Sequence, residues 1–248
     1  AMGQVVLFIA PWQWIFGVLA LFGLALLVWT WFRLPETLPE DSRKPLNLAS
    51  AFGNYLEVGR SRVTFGYMCA SGIIFGALFS FIGSSEQVFR GVFGQEETFA
   101  FWFAGIAAAL AGANFFNSRF VERVGMRRLS HGAMVVFILM SSALALRTWL
   151  FGESLYWFFP MFTLTFACFG MMGANFSALA MEPLGKIAGT ASAAYGFATT
   201  TVSSLLGMVI GSYYNGTTLP LMLGFVALGV GSLIVVLITE KGKLFSSR

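Results

Sequence analysis

Few side chains in this sequence have the types and spacing that chemistry needs. His131 is the only histidine, and no Cys, Asp or Glu lies near it at the spacing of a metal-ligand set. Cys69 and Cys168 lie inside long apolar runs, which favours buried packing over a disulfide. The sequence therefore predicts no metal site, no cofactor and no histidine-based catalysis.

The eleven acidic residues show where ion-coupled chemistry could occur. All of them fall in polar segments or at the ends of apolar runs: Glu36, Glu40, Asp41, Glu57, Glu86, Glu96, Glu97, Glu122, Glu153, Glu182 and Glu240. Ionisable groups inside a membrane are the usual proton relays and cation sites. Without a carboxylate at the middle of a span, either the protein is not ion-driven or its coupling residue lies upstream of Ala1.

The elements that must position these residues are transmembrane helices. The 248-residue chain is 57% hydrophobic and 10% charged, with a mean hydropathy of +0.78, and such a composition is typical of a membrane protein. Continuous apolar runs without period-two alternation favour helices, which satisfy their own backbone hydrogen bonds in lipid. We predict seven spans, at residues 14–32, 64–83, 99–116, 132–150, 157–179, 187–211 and 219–239. The opening ten residues read as the tail of a helix whose beginning is missing, so we expect a truncated chain.

Small residues within these spans recur at the spacing that lets helices approach closely. The pairs are Gly72 with Gly76, Gly207 with Gly211, and Gly105 with Gly112. They indicate a packed bundle and carry no functional information by themselves.

The fifteen Lys and Arg residues divide unevenly between the two sides of the membrane. One side receives thirteen: Arg33, Arg43, Lys44, Arg60, Arg62, Arg119, Arg123, Arg127, Arg128, Lys186, Lys241, Lys243 and Arg248. The other side receives Arg90 and Arg147. The positive-inside rule then places the segments 33–62 and 117–130 and the C-terminus in the cytoplasm. The net charge of +4 is explained by topology and by contact with lipid headgroups, not by a nucleic-acid surface.

Two passages resemble one transporter family. The first, WIFGVLALFGLALLVWTWFRLPETLPEDSR, is a span followed by LPETLP, and the second, ANFSALAMEPLGKIAGTASAAYG, joins two spans through a short turn. Both are similar to the Bcr/CflA group of drug-resistance transporters in the major facilitator superfamily. In that group LPETLP follows the sixth helix, and a sequence similar to AMEPLGKIAGTASA joins the tenth and eleventh. The resemblance implies an all-α integral membrane fold.

A third passage, NSRFVERVGMRR, resembles a degenerate copy of the superfamily loop G-x-L-A-D-R-x-G-R-R. Glu122 stands at the Asp position, and Arg123 and Gly125 are retained. The resemblance implies a cytoplasmic gating role for these three residues. A tight turn that carries topology-setting arginines remains an equal alternative.

The resemblance also implies a domain organisation. The chain would run from the end of the fifth helix, with Gly3 at the last glycine of the antiporter motif, through the twelfth. Residues 1–32 would end the N-terminal half, residues 33–63 would connect the halves, and residues 64–248 would form the C-terminal six-helix bundle. A surface helix is expected across residues 46–58. About five helices that usually carry the proton-coupling groups would be absent.

Candidate residues for lining a substrate path are polar or aromatic stripes at helical spacing. Those we single out are Met68, Phe75, Phe79, Phe166, Asn175, Tyr195 and Thr199. Helix packing explains the hydroxyl stripe of Ser192, Tyr195, Thr199 and Ser203 as well as a cavity wall does. Interhelical or lipid-facing packing likewise explains the stripe of Phe159, Phe162, Phe166, Phe169 and Phe176. For Asn175 a hydrogen bond between helices competes with substrate contact.

Two functions of different classes follow from these patterns. The first is a multidrug efflux transporter of a bacterial inner membrane, which exchanges hydrophobic, amphipathic or cationic compounds for protons by alternating access. The alternative is a seven-helix receptor or sensor, whose topology also has an outside start and an inside end. An integral-membrane enzyme is disfavoured because His, Asp and Cys do not cluster.

Overall fold

The structure of the protein is a computed structural model, and it describes residue 6, residues 9–35 and residues 48–245. The chain forms two compact units, Ala1–Leu48 and Ala49–Arg248. Most of the opening ten residues, including Gly3, lie outside the described residues, as does most of the LPETLP segment. All regular structure in the described ranges is helical, which confirms the predicted all-α fold.

The first unit contains helix α1, Gln13–Arg33, whose 21 residues would extend about 31 Å along the axis. That length matches the hydrocarbon core of a bilayer. None of its residues is buried, and it is apolar on every side. A helix of this composition is stable when lipid or other helices surround it.

The second unit holds α2 (Leu48–Arg60) and six long helices. These are α3 (Arg62–Glu86), α4 (Phe99–Val124), α5 (Met126–Phe151), α6 (Leu155–Met181), α7 (Ala188–Ser212) and α8 (Leu219–Thr239). A π-helical turn, Gln87–Val92, continues α3, and a 3₁₀ turn, Glu182–Ile187, joins α6 to α7. Among the described residues of both units, six segments are long and apolar enough to cross a membrane. One of them is α1, and another, Leu155–Ser212, contains both α6 and α7.

Each of the seven predicted spans corresponds to one helix, either α1 or one of α3 to α8, but several of these helices are longer than predicted. The largest difference is in α4, which continues to Val124 through Asn117, Arg119 and Glu122. Hydropathy locates the hydrocarbon core, whereas a helix continues into the headgroup region wherever its backbone stays hydrogen-bonded. The predicted surface helix is also present, as α2, and its Val58 is buried against Leu184 and Ala191.

Two sharp reversals set the order of the helices. Gly125, with φ of 94°, separates α4 from α5, and Gly152, with φ of 78°, ends α5. Residues with a side chain rarely adopt these backbone angles. Between α6 and α7, Pro183 in the first turn and the non-helical Leu184 interrupt the helix.

Helix α3 lies at the centre of the second unit and packs against α6, α7 and α8. Its contact with α7 depends on small residues, because a Cβ on Gly207 would lie 2.9 Å from the backbone nitrogen of Ser80. On the other side of this contact Gly72 faces Val202, and Gly76 faces Leu206. In lipid, where apolar surface alone does not drive association, such close backbone contact holds helices together.

Aromatic side chains fill the interior of the unit. The ring of Phe81 contacts those of Phe89, Phe103, Phe162 and Phe166, with centroids 4.6–6.4 Å apart. These separations lie in the range where offset and edge-to-face pairs are attractive. The predicted Phe stripe of α6 therefore packs between helices.

Two helices contribute little to this interior. Of the 26 residues of α4, only Ile106 and Asn117 are buried, and of the 25 residues of α7, only Ala191, Thr199, Ser203 and Gly207. Both helices therefore present long apolar faces away from the core of their own unit.

Candidate functional site

The seven candidate cavity residues lie on three helices that pack together. Met68, Phe75 and Phe79 belong to α3, Phe166 and Asn175 to α6, and Tyr195 and Thr199 to α7. Because α3 contacts both α6 and α7, the set lies on the central helix and on two helices packed against it. Within this set, burial separates the side chains that are open from those that are enclosed.

The aromatic members differ most in burial. Phe166 is 5% exposed and lies between Phe81 and Phe162, so its ring belongs to the packed interior. Phe75 is half-buried, stacks on Phe169 with centroids 5.8 Å apart and rests against Gly173. Phe79 is 37% exposed, and Met68 is half-buried. The side chains that a ligand could contact are therefore Met68, Phe75 and Phe79.

The hydroxyl stripe of α7 is used in part for packing. Tyr195 Oη lies 2.6 Å from Ser71 Oγ, and Ser203 donates to the Gly72 carbonyl at 3.0 Å. Thr199 is buried and donates to the Tyr195 carbonyl of its own helix at 2.6 Å. Ser192 is exposed. The stripe thus anchors α7 to α3. Tyr195 is half-buried, so part of its ring stays accessible at the boundary of the core.

Asn175 pairs with a second amide that the sequence analysis did not single out. Its Nδ2 donates to Asn117 Oδ1 at 2.7 Å and to the Met171 carbonyl at 2.7 Å, and Asn117 Nδ2 lies 3.5 Å from Asn175 Oδ1. Both amides are buried, at 2% and 5% exposure. In this conformation Asn175 makes the hydrogen bond between helices. The sequence does show Asn117 as an amide next to the predicted span 99–116. Its pairing with Asn175 depends on the packing of α4 against α6.

The candidate gating loop forms the junction of α4 and α5. Gly125 occupies the left-handed backbone region there, which explains why glycine is required at this position. Glu122 and Arg123 are exposed, and within the described part of the chain neither side chain makes a hydrogen bond or an ion pair. They are available to a surface outside this unit.

A polar cluster missed by the sequence analysis lies at one end of the second unit. This end, called the basic end here, carries the α4–α5 junction, the start of α3 and the residues that follow α8. Glu240 Oε1 accepts hydrogen bonds from Tyr67 Oη at 2.7 Å and from Arg127 Nε at 2.9 Å. The side chains of Arg127 and Glu240 are each 13% exposed, and Arg127 Nη2 lies 3.6 Å from Glu182 Oε2.

The environment of Glu240 decides its charge. Burial raises the pKa of this carboxyl group, but the hydrogen bonds from Tyr67 and Arg127 and the charge of Arg127 outweigh burial. The pKa of Glu240 therefore lies below its ordinary value, and the carboxylate is ionised at neutral pH. Sequence spacing assigned Glu240 and Arg127 to separate loops, although they meet across the fold.

His131 belongs to the same cluster. Its ring is fully buried, with Nε2 3.2 Å from Tyr67 Oη and Nδ1 3.3 Å from the backbone nitrogen of Phe245. Among the described residues no three His, Cys, Asp or Glu side chains converge as metal ligands would. The predicted span boundary placed His131 near the start of α5, as the structure has it, but its partners come from α3 and from the segment after α8.

At the opposite end of the unit, a carboxylate fixes the start of α8. Glu153 Oε1 accepts from the backbone N–H of Thr218 at 2.7 Å, and its second oxygen lies 2.9 Å from Thr218 Oγ1. A negative charge is favourable at a helix N-terminus. This contact ties the α5–α6 loop to α8.

Comparison with known proteins gives a family for this arrangement. A family model described as Major Facilitator Superfamily matches residues 1–208. The chain is 30% identical over 216 residues to a bicyclomycin resistance protein homolog of Haemophilus influenzae, covering 85% of this chain and 53% of that protein. It is 28% identical over 233 residues to YdgK, an uncharacterized MFS-type transporter of Bacillus subtilis, covering 90% and 56%.

These matches agree with the helical fold. The chain spans about half the length of the curated relatives it matches. The family is one of membrane transporters and not of enzymes, and neither the described structure nor the comparisons support the receptor alternative. This chain is a multi-pass membrane protein that belongs to the major facilitator superfamily.

Proposed function

We propose that the chain is the C-terminal portion of a proton-coupled multidrug exporter of a bacterial inner membrane. The observation that carries the proposal is 30% identity, over 85% of this chain, to a bicyclomycin resistance protein homolog. In the proposed organisation residues 1–32 end the N-terminal half, residues 33–63 connect the halves and residues 64–248 form the C-terminal bundle. The compact second unit, Ala49–Arg248, supports this division.

The basic end faces the cytoplasm in this proposal. Arg60, Arg62, Arg119 and Arg123 lie at helix ends on this side, together with the residues that follow α8. Positively charged residues accumulate on the cytoplasmic side of membrane proteins. The C-terminus is therefore proposed to be cytoplasmic.

Transport requires a second helical bundle, which we propose is contributed by residues upstream of Ala1. The apolar faces of α4 and α7 that leave the core of their unit support this, because a pair of bundles would cover part of them. Alternating access is rocking of two such halves around a shared cavity. Glu122 and Arg123, exposed beside Gly125, would contact the other half when the cytoplasmic side closes.

The substrate path is proposed to follow Met68, Phe75, Phe79 and Tyr195, with the enclosed Phe166, Asn175 and Thr199 behind them. The open members of this set are aromatic or thioether side chains without formal charge. Flexible and aromatic surfaces of this kind accept varied hydrophobic molecules, and aromatic faces attract cations. Hydrophobic, amphipathic and cationic compounds are the proposed substrates.

Export by living cells tests this proposal. Expression of the chain joined to the residues encoded upstream of Ala1 is expected to lower accumulation of a fluorescent cationic dye, measured by flow cytometry. Collapse of the proton gradient is expected to abolish the effect, because uphill export would lose its energy source. The chain expressed alone is expected to leave accumulation unchanged.

Two outcomes would contradict the proposal. Unchanged accumulation of every compound in a broad panel, with the joined protein present in the membrane, argues against export. An upstream reading frame that encodes no further spans argues against the two-bundle organisation.

A further inference from the structure

The segment after α8 folds back onto the basic end of the second unit. This segment, residues 241–245, is called the tail here. The backbone N–H of Phe245 donates to His131 Nδ1 at 3.3 Å, and the Phe245 carbonyl accepts from Arg128 Nε at 3.3 Å. Leu244 packs against the apolar core, and the Phe245 ring meets the His131 ring edge to face at 6.0 Å.

The donors and acceptors in this cluster form a directed chain. A backbone amide can only donate, so His131 Nδ1 must accept and Nε2 must carry the ring proton. Nε2–H then donates to Tyr67 Oη at 3.2 Å, and the Tyr67 hydroxyl donates its own proton to Glu240 Oε1 at 2.7 Å. The order is tail amide, His131, Tyr67, Glu240, and it is consistent only when the imidazole is neutral.

Protonation of His131 breaks the first link of this chain. The added proton resides on Nδ1, which becomes a donor and faces the N–H of Phe245. Two donors cannot form a hydrogen bond, so the bond from the tail amide to the ring is lost. The link between Nε2–H and Tyr67 survives, because it does not use Nδ1.

The charged groups around His131 come from three elements and from the tail. Burial of the ring opposes a positive charge on His131 most strongly. Glu240, linked to the ring through Tyr67, favours that charge, whereas Arg127, which lies on α5 like His131, opposes it. Glu182, at the α6–α7 junction, partly compensates Arg127 at 3.6 Å. Arg128, Lys241 and Lys243 are exposed at the surface, where water screens their charge.

The backbone of the tail is suited to release. Lys241 and Phe245 have φ of 53° and 63°, and Gly242 has φ of 76°. Residues with side chains adopt such angles only where contacts hold them. The His131 hydrogen bond, the Arg128 hydrogen bond and the packing of Leu244 together hold the tail, so loss of the first weakens its docking.

We propose that His131, with Tyr67 and Glu240, forms a proton-binding site that controls docking of the C-terminal tail. Docking of the tail is strongest while His131 is neutral and weakens when Nδ1 binds a proton. Docking therefore decreases as the pH falls through the titration of the imidazole. The proposal does not depend on the substrate or direction of transport.

Spin-label mobility in the tail tests the proposal directly. The label is placed on Lys243→Cys in a background of Cys69→Ser and Cys168→Ala, in the complete protein in detergent or lipid nanodiscs. The label is expected to be immobile at pH 8 and to gain mobility as the pH falls to about 4. The scan starts above the ordinary titration of histidine near 6.5 and continues well below it because the His131 ring is buried. A label on Tyr156→Cys, 92% exposed at the opposite end, is expected to show no such transition.

Two variants separate the proposed cause from general effects of pH. In His131→Asn the side-chain oxygen can accept from the tail amide but cannot titrate, so the label is expected to stay immobile throughout. His131→Leu has a side chain of similar volume without a hydrogen-bond acceptor, so the tail amide loses its partner and the label is expected to be mobile at pH 8 as well as at low pH. The proposal is overturned if His131→Asn retains the pH transition, or if the tail of His131→Leu is as immobile at pH 8 as that of the unsubstituted protein.

Discussion

At the residue scale, polar side chains in this protein serve mainly to hold helices in register. The reciprocal pair of Asn117 and Asn175, the contact of Tyr195 with Ser71 and the bond from Ser203 to Gly72 each join two helices. Buried amides and hydroxyls in lipid need partners, because no water is present to replace them. A polar side chain that already bonds two helices together would have to give up that hydrogen bond to bind a substrate.

The amide pair gives a prediction that separates packing from substrate contact. We expect Asn117→Ala and Asn175→Ala each to destabilise the bundle, and the double variant to cost less than the sum of the two. The expected coupling is about 0.6 to 1.7 kcal/mol, the range for interhelical hydrogen bonds in membranes. Denaturant unfolding in micelles, followed by tryptophan fluorescence, measures the three free energies.

Strict additivity of the two substitutions would contradict the pairing of these amides. A substrate-binding role for Asn175 predicts something different, namely a loss of transport in Asn175→Ala that Asn117→Ala does not share. Ser142→Ala, which changes a hydroxyl that lines a surface groove between α5 and α8, provides a matched small substitution elsewhere.

How much of the site the sequence predicts depends on the distance between partners along the chain. Gly125 follows from its motif position, because a tight reversal is a local property. The Tyr67, His131 and Glu240 cluster joins residues 64 and 173 positions apart, so it depends on how α3, α5 and α8 pack. Hydropathy and local motifs carry no information on that packing.

At the element scale, helix positions follow from composition, but helix partners do not. The apolar runs locate α1 and α3 to α8, since only a helix about 20 residues long satisfies its backbone across lipid. The glycine pairs were predicted as packing surfaces, yet only some of their members meet another helix. Gly207 meets the α3 backbone, whereas a Cβ on Gly211 would meet nothing within 4 Å.

This difference gives a matched pair of substitutions. Gly207→Ala is expected to destabilise the bundle by about 1 to 3 kcal/mol, because its Cβ would overlap the backbone at Phe79 and Ser80. Gly211→Ala is expected to be neutral or to stabilise α7 by up to about 1 kcal/mol, since alanine is the better helix former. Thermal unfolding of the two purified variants in the same detergent compares them.

Equal destabilisation by the two alanines would contradict the close contact of α3 with α7 at Gly207. If Gly211→Ala destabilised the bundle more than Gly207→Ala, the contact of α7 with α3 would have to lie nearer the end of α7 than it does in the structure.

At the scale of the whole molecule, the chain is one packed bundle of six helices in its second unit, with an additional apolar helix in the first. Its aromatic interior excludes water, and its ionised groups gather at the two ends. Two buried titratable side chains, Tyr67 and His131, lie near the basic end of the bundle. Glu240, which belongs to the same cluster, follows the last residue of α8. Because the described Asp and Glu residues of this unit lie at helix ends or in loops, we propose that the coupling carboxylate of a drug and proton exchanger lies upstream of Ala1.

The measurement that tests this account most directly is proton movement driven by substrate. The complete protein is reconstituted into vesicles that contain a pH-sensitive dye, and a quaternary ammonium compound, which cannot carry a proton itself, is added outside. Exchange of cation for proton predicts that the lumen becomes alkaline as the compound enters, and that vesicles without protein show no change. Entry of the compound through the protein with no change in lumen pH would contradict the account.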